Sequence, residues 1–116
     1  MKKIFVAIIL ALLVFSGGAF AQEEKTARFS RGADFFREGS YEKALDEWLD
    51  LYNTGYRSAD LAYNIGNAWF KLNNVPGAIL FYERARLLSP ADEDINYNLL
   101  IAKTLTVDRF EEIPEL

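Results

Sequence analysis

Residues 59–92, ADLAYNIGNAWFKLNNVPGAILFYERARLLSPAD, decide the fold of this chain. Small and aromatic residues recur in this stretch at fixed spacings, at Ala62, Ile65, Gly66, Trp69, Ala78, Tyr82, Ala85 and Pro90. The last two alanines and the tyrosine between them follow at steps of four and three, which places them on one helical stripe. We expect two antiparallel helices to cross closely at Gly66 and Ala78, with the aromatic side chains beside that contact.

The pattern repeats with a period of 34 residues, a length typical of helical-repeat proteins. The shift superposes Phe29 on Tyr63 and Tyr97, Gly32 on Gly66, Phe35 on Trp69, Phe36 on Phe70, Ala44 on Ala78, and Trp48 on Tyr82. The upstream copy has Arg28 and Arg31 at otherwise apolar places, which predicts an edge repeat with one solvent-facing side. The third copy has Leu100 in place of the glycine, and we expect a single capping helix there.

Local signals divide the chain into five helices. We expect N-caps at Ser40, Ser58 and Asp92, and glycine-terminated helix ends at Gly39 and Gly55. The predicted helices span residues 24–38, 41–53, 59–72, about 76–88 and 93–107, and residues 108–116 are expected to form an exposed tail.

The spacing in residues 59–92 resembles the tetratricopeptide repeat, W-x2-L-G-x2-Y, A-x3-F, P. This resemblance implies an all-α right-handed superhelix of helical hairpins. The expected divisions are an edge repeat at 22–58, a second repeat at 59–92, a capping helix at 93–107 and the tail.

A narrower resemblance is to the BatE family, the tetratricopeptide proteins of bacterial aerotolerance operons. It rests on the segments NIGNAWFKL (64–72), YERA (82–85), NYNL (96–99), TVD (106–108) and IPE (113–115). It implies a location in the periplasm or inner membrane and partners with von Willebrand A-type domains. Members usually continue into membrane and SH3-like segments, so membrane association is expected only if the sequence is a fragment.

The N-terminus is typical of a cleavable export signal. Lys2 and Lys3 precede an uninterrupted apolar run, Ile4–Phe15, and Ala19-Phe20-Ala21 supplies the small residues that signal peptidase needs. Twelve helical residues cover roughly 18 Å, which is short of a bilayer core about 30 Å thick. We therefore expect cleavage after Ala21 and export to the periplasm.

Composition excludes several functions. Residues 22–116 carry 11 basic and 17 acidic residues, a formal net charge of −6, which argues against nucleic acids and anionic membrane surfaces as partners. The chain has no histidine and no cysteine, so the usual general base, nucleophile pairs and metal ligands are missing. The acids at 92–94 lack the spacing of a calcium loop. We expect no enzymatic activity, cofactor, metal or small-molecule substrate.

By the resemblance, the first helix of each repeat lines a concave groove that binds a partner protein. The groove candidates are Phe29, Ser30, Ala33, Phe36, Asp60, Tyr63, Asn64, Asn67, Lys71, Asp94, Tyr97, Asn98 and Ile101. The amides of Asn64 and Asn67 can donate to and accept from the backbone of an extended peptide. The alternative is that Asn64 and Asn98 bond neighbouring backbone and that the tyrosines are packing residues.

A carboxylate clamp that grips the C-terminus of a partner needs cations where this sequence has Asp60, Asp94 and Asn98, so that activity is not expected. The sequence thus predicts a scaffold that binds a protein segment, or else a structural spacer or self-association module of a larger envelope protein.

Overall fold

The computed structural model describes the backbone of residues 2–111 and the side chains of residues 18–106. This part of the chain is all-α, and each helix packs against its neighbours in sequence. The helices are α1 (Lys2–Arg37), α2 (Tyr41–Asn53), α3 (Ala59–Lys71), α4 (Val75–Leu88) and α5 (Glu93–Glu111). Among the helices of the described residues, none has the length and apolarity required to cross a membrane.

The two terminal helices are longer than predicted. α1 begins at Lys2 rather than at residue 24, because the apolar run and the predicted first helix join without a break. α5 ends at Glu111 rather than at residue 107. None of residues 107–111 is a proline or a glycine, so no helix-breaking residue stops the helix before Glu111. The first part of the predicted tail, residues 108–111, is therefore helical, and residues 112–116 lie outside the described residues.

Two N-caps follow the prediction. The Ser58 hydroxyl accepts a hydrogen bond from the Leu61 backbone N–H at 3.0 Å. The Asp92 carboxylate accepts one from the Ile95 N–H at 3.1 Å. Each side chain satisfies one of the backbone donors that the first turn of a helix leaves unpaired.

The prediction for Ser40 is wrong in its chemistry, because its side chain makes no cap hydrogen bond. Its backbone ψ is 66°, whereas the capping Ser58 is extended with ψ 153°. Asn74 has a similar ψ of 82° but a longer side chain, and its Oδ1 accepts from the Gly77 N–H at 2.9 Å. Only the longer side chain reaches the first turn from this backbone conformation.

The core between α1, α2 and α3 is built on large apolar side chains of α2 and α3. Trp48, Leu51, Leu61 and Ile65 are all at most 2% exposed. The Trp48 indole Nε1 donates to the Phe29 carbonyl oxygen at 3.1 Å and so connects α2 to α1. Each fully buried side chain of this size contributes roughly 1.5–3 kcal/mol.

The two repeat glycines make room for aromatic rings rather than for helix backbones. A Cβ placed on Gly66 would lie 2.6 Å from two ring carbons of Tyr82. A Cβ on Gly32 would meet the Trp48 indole, with Cδ1 at 2.6 Å. The same contact therefore occurs twice, 34 residues apart. It corrects the expectation of a close backbone crossing beside which the aromatic residues pack.

α5 covers one side of the α3–α4 pair, and among its side chains up to residue 106 those of Ile95, Leu99 and Ala102 are buried. Ile95 packs in a cluster with Ala85, as expected for a capping helix. Leu88, the last residue of α4, is 52% exposed. The other buried residues of α5 pack instead on Val75, Ala78 and Tyr82, at the middle and start of α4.

Candidate functional site

A cavity of about 330 Å³ opens between the helices and is called here the Asn67 groove. Its lining residues are Phe36, Asn67, Phe70, Lys71, Tyr82, Asn98 and Ile101. Five of these were groove candidates from the sequence. Phe70 was not a candidate, and Tyr82 was assigned to packing alone.

The helical periodicity of α3 and α5 explains why these residues share one groove. Phe70 and Lys71 follow Asn67 on α3 by three and four residues, so all three lie on one face of that helix. Asn98 and Ile101 are three residues apart on α5, so they also share a face. Phe36 comes from the end of α1, and the ring of Tyr82 enters from α4.

A hydrogen-bond network joins the two amides of the groove to two tyrosines. The Tyr82 hydroxyl donates to Asn67 Oδ1 at 2.6 Å. Asn98 Nδ2 donates to the same Oδ1 at 3.1 Å and to the Tyr63 hydroxyl oxygen at 2.9 Å. Asn67 Oδ1 therefore accepts two hydrogen bonds, and Asn98 Nδ2 uses both of its protons.

The network leaves one donor group and one acceptor directed away from it. Among the described residues, Asn67 Nδ2 and Asn98 Oδ1 have no hydrogen-bond partner. Within residues 18–106, the Trp69 indole Nε1 is the one side-chain polar atom that is buried without a partner. The two amide atoms therefore reach solvent and can bind the backbone of another chain.

The tyrosine hydroxyl that supports Asn67 stays protonated. Burial raises the pKa of the Tyr82 phenol far above its usual value, and nearby Tyr63 raises this pKa further, while the Asn98 amide lowers it in part. The Tyr82 hydroxyl therefore remains a donor to Asn67 at any physiological pH. The rings of Tyr63 and Tyr82 lie 5.9 Å apart between centroids, so Tyr63 is also a packing residue.

Lys71 supplies the charge of the groove. Its side chain is exposed, and its Nζ lies 5.9 Å from the centroid of the Tyr41 ring. Among the described residues it makes no ion pair. No acidic residue in the described part of the chain lines the groove. The site is thus apolar, carries two amides and has a single cation at one end.

An ion-pair cluster on α4 holds α5 beside the groove. The Glu83 carboxylate accepts hydrogen bonds from Lys103 Nζ at 2.7 Å and from the Arg86 guanidinium at 2.8 Å. The hydrogen bond from Lys103, followed by that from Arg86, lowers the pKa of Glu83. Because Lys103 lies on α5, the pair connects the helix that carries Asn98 and Ile101 to α4.

Several predicted groove residues lie elsewhere. Phe29 and Asp60 line a separate depression of about 230 Å³, together with Lys25 and Tyr56 among others. Ala33 packs against the first core, and Ser30 and Asp94 are exposed.

The remaining candidates divide between packing and exposure. Asn64 is half-buried, and Tyr97 is 64% exposed and lines neither depression. For Asn98, the alternative of a bond to neighbouring backbone is wrong, because its amide bonds the side chains of Tyr63 and Asn67.

Phe70 could have been found from the sequence. The 34-residue offset superposes it on Phe36, which was itself a groove candidate. Tyr82 could not have been found in this way, because its ring packs in the core beside Gly66 while its hydroxyl bonds Asn67 in the groove.

A comparison of the sequence with models of known protein families and with curated proteins finds no match. The fold and the site define an all-α protein of consecutively packed helices with an apolar, amide-bearing groove.

Proposed function

We propose that this chain is an exported, non-enzymatic tetratricopeptide protein of the cell envelope that binds a segment of a partner protein in the Asn67 groove. The observation that carries the proposal is the pair of outward amide atoms, Asn67 Nδ2 and Asn98 Oδ1, set in an apolar groove. Its class rests on the 34-residue spacing, with the glycine–aromatic contact that occurs at both copies.

The groove suits an extended chain rather than a folded surface. Its volume of about 330 Å³ is at the small end of the ~300–1,000 Å³ range of ligand pockets. An extended backbone presents carbonyl acceptors and N–H donors, which match Asn67 Nδ2 and Asn98 Oδ1 respectively. Apolar side chains of the segment then pack on Phe36, Phe70 and Ile101.

The groove is ordered before a partner arrives. Asn67 and Asn98 are held by each other and by two tyrosines, so their amides lose little rotamer freedom on binding. Ordering an interface side chain costs about 0.5–1.5 kcal/mol, and this cost is largely avoided here.

Catalysis is not part of the proposal. The chain has no histidine or cysteine, and the raised pKa of Tyr82 makes this phenol a poor proton donor or nucleophile near neutral pH. Among the described residues that line the groove, Lys71 is the one other residue with an ionisable side chain.

The resemblance to the BatE family supports a place in the periplasm and partners with von Willebrand A-type domains. The positively charged start, apolar run and small residues before Gln22 support export with cleavage after Ala21. In this proposal the physiological setting is aerotolerance, and the partner segment comes from such an envelope protein.

A second candidate function is a structural spacer or self-association module. It is favoured by the outward face of α5, where Tyr97 and Leu100 are each 64% exposed. This face would take a further helix or a second copy, whereas the Asn67 groove would stay empty.

Site-specific photo-crosslinking in the native cell tests the proposal. A benzophenone amino acid replaces Ile101 in the groove, and the matched control replaces Leu87, which is 79% exposed on α4 and does not line the groove. We expect a discrete adduct with another envelope protein from position 101 only. Equal adducts from both positions, or adducts of the chain with itself alone, would contradict groove binding.

Alanine substitution of Tyr63 and Asn67 is a poor test, although both were groove candidates. Each makes a hydrogen bond of the network, so the pair would remove the partners of Asn98 and Tyr82. Leaving such groups unpaired costs about 1–3 kcal/mol each, which confuses lost stability with lost binding.

A further inference from the structure

The charge of the Asn67 groove contrasts with that of the whole chain. The sequence has a formal net charge of −4, yet the one charged residue among those lining the groove is Lys71. Within the described part of the chain this ammonium group has no carboxylate partner, and its described neighbour is the face of the Tyr41 ring. A cation in this situation is available to a negative charge on a ligand.

The position of Lys71 fixes where that negative charge must lie. Lys71 follows Asn67 by four residues on α3, a separation of roughly 6 Å along the helix axis. An extended chain advances about 3.3 Å per residue. A segment whose backbone bonds Asn67 therefore brings a side chain to Lys71 about two residues further along.

The same groove has an apolar part beside these polar contacts. Phe36, Phe70 and Ile101 line it from three different helices. A single large apolar side chain fits among them, whereas a second cation would be repelled by Lys71 and would find no acidic residue there.

The cation is also in a different place from that of a carboxylate clamp. The positions where a carboxylate clamp needs cations carry Asp60, Asp94 and Asn98 in this chain. Asp60 lines the separate depression together with Phe29. A chain-terminal carboxylate is therefore not favoured, and the acidic group is a side chain within the segment.

We propose that the Asn67 groove selects an internal, extended segment with one large apolar residue and an aspartate or glutamate about two residues away, which pairs with Lys71. This inference rests on the proposed function, because it specifies the segment that the groove holds. The expected partner is therefore an acidic and apolar stretch of another protein.

A positional-scanning library tests the chemistry directly. The probe is a set of hexapeptides with acetylated N-termini and amidated C-termini, which removes both terminal charges. It is applied to immobilised protein purified after expression of the full 116-residue chain. We expect enrichment of Leu, Ile, Phe or Met at one position and of Asp or Glu about two positions away. The preference for acids over Lys and Arg should be about three- to fivefold, in keeping with one exposed ion pair.

Charge reversal at Lys71 supplies the decisive comparison. In Lys71→Glu the preference at the acidic position should change to Lys and Arg, while the apolar preference stays the same. The matched control is Lys43→Glu, which makes the same charge change on the exposed face of α2 and does not line the groove. It should leave both preferences unchanged. Circular dichroism melts of the two variants should agree, since each loses only one contact with an aromatic ring.

The possible failures are distinguishable. Enrichment of apolar residues without an acidic preference, or an acidic preference that survives Lys71→Glu, would overturn this inference and leave groove binding intact. A library with no enriched position would reject the proposed function as well. A concentration-dependent dimer that library peptides dissociate would identify a second copy as the occupant, and that too would overturn the inference.

Discussion

Replacement of Gly66 by alanine should destabilise the protein, although alanine normally favours a helix. Gly66 lies inside α3, and a Cβ there would be 2.6 Å from two ring carbons of Tyr82. The Tyr82 ring is 1% exposed and its hydroxyl is bonded to Asn67, so it cannot rotate away freely. The clash should therefore destabilise the fold by more than the higher helix propensity of alanine stabilises it.

The expected magnitude follows from three contributions. Alanine improves helix propensity over glycine by about 0.5–1 kcal/mol. Overpacking costs about 1–3 kcal/mol, and displacement of Tyr82 from Asn67 loses a hydrogen bond of about 0.5–1.5 kcal/mol. Mid-range values give a net destabilisation of about 2 kcal/mol, which lowers the Tm of a domain of this size by roughly 8–16 °C.

The assay is thermal and urea unfolding followed by circular dichroism, with Gly55→Ala as the matched control. Gly55 has no heavy atom within 4 Å of its Cβ position, but its φ is +96°. Its replacement should cost only about 1 kcal/mol of backbone strain. Leucine widens the difference, to roughly 3 kcal/mol or more at Gly66 against about 1 kcal/mol at Gly55.

A double-mutant cycle isolates the cause. In a Tyr82→Leu background the ring carbons are gone, so Gly66→Ala should be neutral or stabilising there, with a coupling energy above about 1 kcal/mol. If Gly66→Ala were as stable as the wild type, or if its effect were the same with and without the Tyr82 ring, the role assigned to this glycine would be wrong.

The remaining predictions concern α5, pH and the N-terminus. A chain truncated after Ser89 loses the buried Ile95 and Leu99 of α5, each worth roughly 1.5–3 kcal/mol of a total stability of about 5–15 kcal/mol, together with the smaller contribution of the buried Ala102. It should be unfolded or self-associated by circular dichroism and size exclusion, and a cooperatively melting monomer would contradict this. Lys103 lowers the pKa of Glu83 in the folded state below its unfolded value of 4.5. The ionised Glu83 carboxylate therefore stabilises the fold at any pH above 4.5, and this stabilisation is lost as the pH falls through the lowered folded-state pKa. Glu83→Gln should therefore lower the Tm at pH 7 and have little effect near pH 3, and an equal effect at both pH values would disprove the linkage. Mass spectrometry of the exported protein should find Gln22 at its N-terminus, and an intact initiator methionine would reject cleavage.

Local chemistry predicted most helix ends because capping depends on few residues. The side chains of Ser58 and Asp92 accept the predicted cap hydrogen bonds. Gly39 and Gly55 adopt the positive φ that a glycine tolerates at a helix end. Ser40 does not, because its cap depends on a backbone ψ that the preceding turn imposes rather than on the residue type.

The groove was predicted in part, for a geometric reason. The repeat offset identified the correct face of α3 and α5, which gave Asn67, Lys71, Asn98 and Ile101. It also grouped Phe29 with them, although Phe29 lies two turns before the end of α1 and lines the other depression. Periodicity assigns a face of a helix, but it does not tell how far along the axis a cavity extends.

The sequence by itself determined the helical class, the helix boundaries around the turns and the two positions, 34 residues apart, where a helix must carry a small residue, whereas the structure showed that an aromatic ring fills the space at each. These depend on spacing and on residues close in the chain. The tertiary structure alone decided that Tyr63, Asn67, Tyr82 and Asn98 form one network, because those side chains come from three helices and up to 35 residues apart. Which amide atoms remain free for a partner follows from that network, and no pattern along the chain records it.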